Sequence, residues 1–141
     1  MLFYRHTRAA HFLRDTLHRY SAFTFLQRSL KLADMLIGTA LHNARQTGVD
    51  RLQAVQDRLA RLACYREGIN AHLTAAIALA ERSPAGLMMP NQSLLFTGRS
   101  LATSQLHDMM NTMRELCGGQ VCLTPDHASF ENEETGPWLR K

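Results

Sequence analysis

The stretch FLQRSLKLADMLIGTALHNARQTGVDRLQAVQDRLARLACYREGINAHL, residues 25–73, decides the fold. Apolar residues recur at Phe23, Leu26, Leu30, Ala33, Ile37, Ala40 and Ala44, three and four apart, which places them on one face of a helix. No proline falls between His11 and Gln46, so the pattern predicts a helix over about residues 11–46, either continuous or bent near Tyr20 and Ser21. QTGVD ends it, with Gly48 available for the left-handed position after a helix. A second helix is predicted over about 50–81, opened by Asp50 as N-cap with Gln53 three residues on. Its stripe is Leu52, Val55, Leu59, Leu62, Ile69, Leu73, Ala76 and Ala80, interrupted only at Arg66.

Working outward, ERSPAGLMMPNQSLLFTG reads as an ordered loop on its glycine and proline content. A third helix is expected over about 103–117, with Leu106, Met109, Met110, Met113 and Leu116 on one side and Gly118 and Gly119 ending it. QVCLTP suits a short extended segment, and an irregular tail is expected through 118–141. The fold class is therefore all-α, an antiparallel bundle of long helices in one domain. Three such helices cannot cover this much apolar surface by themselves, so the chain reads as part of a larger enzyme or of an obligate oligomer.

Composition narrows the function classes. The 141 residues are 45% hydrophobic, which suits a single domain with a real core. Sixteen Lys and Arg against 12 Asp and Glu give a net charge of +4, but the arginines are scattered and form no basic stripe, which argues against nucleic-acid binding. Three cysteines, Cys64, Cys117 and Cys122, do not make a secreted disulfide framework and point to a reducing cytoplasm. The N-terminal residues lack the unbroken apolar core of a signal peptide, and no run reaches the ~18 apolar residues of a membrane span.

Individual residues assign no reaction. Cys117, Cys122 and His127 are chemically fit for zinc but lack a second ligand pair, and the two cysteines stand too far apart for a CxxC redox pair. The seven histidines form no ligand motif, the methionines of the third helix read as core filling, and no catalytic carboxylate pair is evident. Gly118 and Gly119 allow backbone to approach a ligand, or simply cap a helix. Arg66 on an apolar seam must be paired, with a bundle carboxylate or an anionic ligand, and the carboxylate is the simpler account. Arg28, Lys31 and Asp34 read as a charged face with a salt bridge to another helix or subunit behind it.

The order of features carries more. Residues 25–73, followed by GLMMPNQSLLFTGR and MRELCGGQVCLTP, resemble the C-terminal helical region of the 4-hydroxyphenylacetate 3-hydroxylase oxygenase family. The matching pieces are Arg28, Lys31, Asp34 and Gly38, the TG turn, Arg66 after an aromatic residue, Gly86, Pro90 and Arg99, and the glycine that leads to Pro125. The resemblance covers roughly residues 12–140 and implies an acyl-CoA-dehydrogenase-like fold. It also implies an oxygenase that takes reduced FAD from a separate flavin reductase component and hydroxylates a phenolic substrate of the 4-hydroxyphenylacetate type. In such enzymes the C-terminal helices build a homo-oligomer, tetramer or dimer, and lie against the flavin.

From the resemblance, Arg66, Arg99, Gly118, Gly119 and Gln120 are expected near the flavin or a subunit interface. No catalytic residue and no metal ligand carries over, because the family's phenol-binding residues lie in N-terminal and middle domains and a further flavin-contacting segment follows the position of Lys141. The related 4-hydroxybutyryl-CoA dehydratases need cluster ligands where Cys117 and Cys122 do not fall. The chain is thus expected to be inactive alone. The alternative is a free-standing helical oligomerisation or interaction module without catalysis.

Overall fold

The computed structural model describes residues 4–118 and 127–140. In chain order it contains α1 (Thr7–Leu13), one π-helical turn (Arg14–His18), α2 (Arg19–Gln46), α3 (Gln53–Ala78), β1 (Glu81–Arg82), β2 (Met88–Met89), α4 (Gln92–Leu116), α5 (His127–Glu131) and α6 (Gly136–Leu139).

Helix α2 ends as its sequence dictates. Gly48 takes φ 73°, and the amides of Gly48 and Val49 donate to the carbonyls of Arg45 and Ala44 at 3.2 and 3.0 Å. These paired bonds satisfy the last carbonyls of the helix, and only glycine reaches that φ without strain. The capping box expected at Asp50 does not form. The N-cap of α3 is Leu52, which has no side-chain cap and lies exposed, so the first residue of the expected stripe is outside the core.

The directions of the helices follow from which residues meet. Arg19 reaches Glu81 and Arg66 reaches Asp34, so sequence numbers fall along α3 as they rise along α2. Tyr65 donates to the Ala102 carbonyl at 2.9 Å and Arg58 pairs with Glu115, which sets α4 antiparallel to α3. Asn43 donates to the Leu116 carbonyl at 2.9 Å, so α2 and α4 run parallel. The result is an up-down-up bundle. Its core contains Ala22, Leu26, Ala33, Leu36, Ala40, Leu62, Tyr65, Ile69, Leu95, Ala102 and Met109.

Further boundaries differ from the sequence reading, each for a local reason. The irregularity near the start of α2 is the π-helical turn at Arg14–His18, ahead of the bend expected at Tyr20 and Ser21. Helix α3 ends at Ala78 rather than Glu81, because Glu81 and Arg82 pair antiparallel with Met89 and Met88. Pro84 and left-handed Gly86 (φ 82°) turn that hairpin. Helix α4 starts at Gln92, well before Thr103, because the Asn91 side chain caps it by accepting from the Leu94 amide at 3.1 Å. The tail holds two short helices, α5 and α6, where an irregular course was expected.

Gly98 makes that early half of α4 possible. A Cβ there would lie 2.7 Å from the His72 Cβ of α3 and 3.1 Å from the Leu26 Cδ1 of α2, so the three helices meet over a missing side chain. Among the described residues no helix is long and apolar enough to cross a membrane.

Candidate functional site

The gap in the α3 stripe is filled by Tyr65, which is buried, and Arg66 flanks it at 29% side-chain exposure. Arg66 therefore borders the seam instead of sitting in it. Its Nε donates to Asp34 Oδ1 at 2.9 Å and its Nη1 to Glu67 Oε1 at 2.6 Å, while Asn70 donates to the other Glu67 oxygen at 3.3 Å. The hydrogen bonds that Arg66 donates to Asp34 and Glu67 raise the affinity of the guanidinium for its proton, and Arg66 lowers the pKa of Glu67. The bundle carboxylate expected from the sequence is thus Asp34, which ties α2 to α3.

Arg99 lies half-buried on α4, with its guanidinium carbon 5.2 Å from the centroid of the Phe25 ring on α2. It opens onto a shallow groove lined by Phe96, Ser100, Thr103 and Ser104. Thr103 and Ser104 spend their hydroxyl protons on the carbonyls of Arg99 and Leu101. Gly118 follows α4 with φ 99°, the left-handed conformation that ends a helix. Gly119 and Gln120 lie outside the described residues, as do Cys122 and the QVCLTP segment.

These residues do not converge on one pocket. Their partners on α2, Phe25 and Asp34, are nine residues apart, about 13 Å along a helix, and Arg99 and Gly118 are separated by about 28 Å along α4. The described candidates mark three places on the bundle surface.

Of the three residues chemically fit for zinc, Cys122 lies outside the described residues. Cys64 is exposed, Cys117 donates from Sγ to Met113 Sδ at 3.6 Å, and His127 faces Glu131 at 3.5 Å on the surface. Among the described residues there is no cluster of three metal-ligating side chains.

One polar centre escaped the sequence reading. Arg19 is 7% exposed, donates to the carbonyls of Pro90 and Met89, and pairs with Glu81 at 3.1 Å. Asn91 donates to the other Glu81 oxygen at 2.6 Å. The signal was present: the α2 stripe continued back four positions from Phe23 lands on Arg19.

The family described as 4-hydroxyphenylacetate 3-hydroxylase C terminal matches residues 7–141, nearly the whole chain. The chain belongs to this family. It is 30% identical over 109 residues to the oxygenase component of a 4-nitrophenol 4-monooxygenase/4-nitrocatechol 2-monooxygenase from Rhodococcus opacus, covering 77% of this chain and 21% of that protein. An FADH(2)-dependent monooxygenase from Burkholderia cepacia is 23% identical over 116 residues, covering 82% of this chain and 22% of its own length. Among solved structures, a 4-hydroxybutyryl-CoA dehydratase from N. maritimus superimposes with a TM-score of 0.75 at 22% identity, over 90% of this chain and 25% of that one. The fold is accordingly the helical bundle of acyl-CoA-dehydrogenase-like enzymes. The chain spans about a fifth to a quarter of the length of these family relatives.

Proposed function

We propose that this chain is the C-terminal helical part of a two-component, reduced-flavin-dependent monooxygenase that hydroxylates a phenolic substrate, and that it is inactive alone. The family match over residues 7–141 carries this reading. The relatives support it: one is an oxygenase component acting on nitrophenolic compounds and another is FADH(2)-dependent. An oxygenase component implies a flavin reductase as partner, and the exposed apolar side chains of the bundle suit a cytoplasmic homo-oligomer.

Two of the candidates have chemistry suited to contact with a flavin, at separate places on the bundle. Arg99 offers a half-buried cation, and Gly118 brings bare backbone to the end of α4. Reduced FAD, when bound, supplies the electrons for oxygen activation. In this reading Arg99, Gly118 with the Gly119 and Gln120 that follow it in sequence, and the Arg66–Asp34–Glu67 cluster border the flavin or a neighbouring subunit. Arg66 contributes as a clamped ion pair that holds α3 on α2, and Arg99 as an open cation. Proton transfer and phenol recognition belong to the rest of the enzyme.

A chimera tests the proposal. Residues 7–141 replace the matching C-terminal region of the Rhodococcus oxygenase component, and hydroxylation of 4-nitrophenol is measured with externally reduced FAD. The chimera is expected to hydroxylate and the isolated chain to give no product. Product from the isolated chain would refute inactivity alone. A folded chimera without activity would instead favour the helical interaction module.

A further inference from the structure

Three arginines are not exposed among the described residues: Arg19, Arg66 and Arg99. Two have carboxylate counter-ions, Arg19 with Glu81 and Arg66 with Asp34 and Glu67. Arg99 has a phenyl ring and, among the described residues, no carboxylate. A partly desolvated guanidinium normally finds an anion, because desolvation penalises an unpaired charge. A ring holds the cation without neutralising it, and the N–H donors in the guanidinium plane are well matched to a phosphate.

We propose that Arg99, set on Phe25 and bordered by the Ser100 hydroxyl, is a phosphate-binding subsite. Resting on the flavin reading above, its ligand is the diphosphate of a dinucleotide and not the flavin ring. Beside the cation, the groove offers an oxyanion one further donor. The one large apolar side chain lining the groove beside Arg99 is Phe96, and the other three are hydroxyl residues. Thr103 and Ser104 point their protons at backbone, whereas Ser100 has no hydrogen-bond partner among the described residues and is free to donate. Phe25 fixes the position of the cation before any ligand arrives, which reduces the ordering cost of binding.

The test uses the 141-residue chain and inorganic pyrophosphate as probe, with binding read by titration calorimetry at constant ionic strength. Saturable binding is expected, weakened about tenfold or more by Arg99→Gln, partly restored in Arg99→Lys, and unchanged by Arg28→Gln on the exposed face of α2. Helicity by circular dichroism verifies that each variant is folded. Binding that is absent, or equal in wild type and folded Arg99→Gln, overturns the subsite. ADP, FAD and riboflavin form the second arm. Arg99-dependent binding of ADP and FAD without riboflavin supports the dinucleotide diphosphate. Arg99-dependent binding of riboflavin equal to that of FAD overturns the phosphate assignment. Pyrophosphate binding with no response to ADP or FAD keeps the phosphate subsite and removes its link to flavin, so the two readings fail separately.

Discussion

At Gly98 a methyl group would sit 2.7 Å from the Cβ of His72, an atom fixed to the α3 backbone, so relief requires the helices to part. Gly98→Ala is expected to destabilise the fold by about 2 kcal/mol or more, the range for overpacking a core. Gly38 lies in the interior of α2 with nothing within 4 Å of its would-be Cβ. Gly38→Ala is therefore expected to stabilise by about 0.5–1 kcal/mol through helix propensity alone. Urea denaturation of both variants checks the pair, and equal effects would contradict the close approach. Arg19 is the charged counterpart. Truncation in Arg19→Leu removes the side-chain donor to the Pro90 and Met89 carbonyls and leaves Glu81 with Asn91 alone, for an expected loss of about 2 kcal/mol in the same assay. A Glu81→Gln change is expected to cost less, because that carboxylate is half exposed.

Legibility differed between elements for physical reasons. Helices α2 and α3 were readable because their buried faces are built from Leu, Ile, Ala and Val at helical spacing. The first half of α4 was not, because its packing demands Gly98 at the tightest point, so the signal of close approach reads locally as a helix breaker. Its start, Pro90-Asn91, is a cap that resembles turn chemistry until Asn91 is seen bonding the Leu94 amide. The candidate site divides in the same way. Arg66 advertised its need for a carboxylate by interrupting the apolar stripe, although it borders the seam and Tyr65 fills it, whereas the contact between Arg99 and Phe25 joins residues of different helices that no local pattern relates. The ion-pair cluster between α2 and α3 has a pH signature. Glu67 has its pKa lowered, chiefly by Arg66, so its contribution to stability is full above the unfolded carboxylate range near about 4.3 and is lost as pH falls through the lower folded value. The melting temperature is expected to fall more steeply in wild type than in Glu67→Gln between about pH 5 and pH 3. Asp15, also lowered by Arg14, is common to both proteins, so the difference between them is the measurement. Parallel curves would show that the Arg66–Glu67 pair, which lies within α3, adds nothing to stability.

At the scale of the molecule, the bundle closes around its core and leaves apolar side chains gathered and exposed at one end. Helix α1 buries none of its residues, and Phe12, Leu17 and Tyr20, exposed by 66, 62 and 50%, continue along the turn into α2. Arg19 ties this region to the hairpin, where Leu79, Leu87 and Met88 are also exposed. Apolar side chains gathered at one end of a bundle favour association, and a second copy of the same chain offers the same surface in return. In the proposed homo-oligomer that end is covered. The isolated chain is expected to show concentration-dependent association by sedimentation velocity. Phe12→Glu combined with Leu17→Glu is expected to shift it toward monomer while helicity stays unchanged, since neither side chain enters the core. Unfolding of the double variant would show that these residues support the bundle itself. A wild-type chain that stays monomeric across the accessible concentration range would remove this end of the bundle as a self-association surface and leave it to be covered by other parts of a longer enzyme.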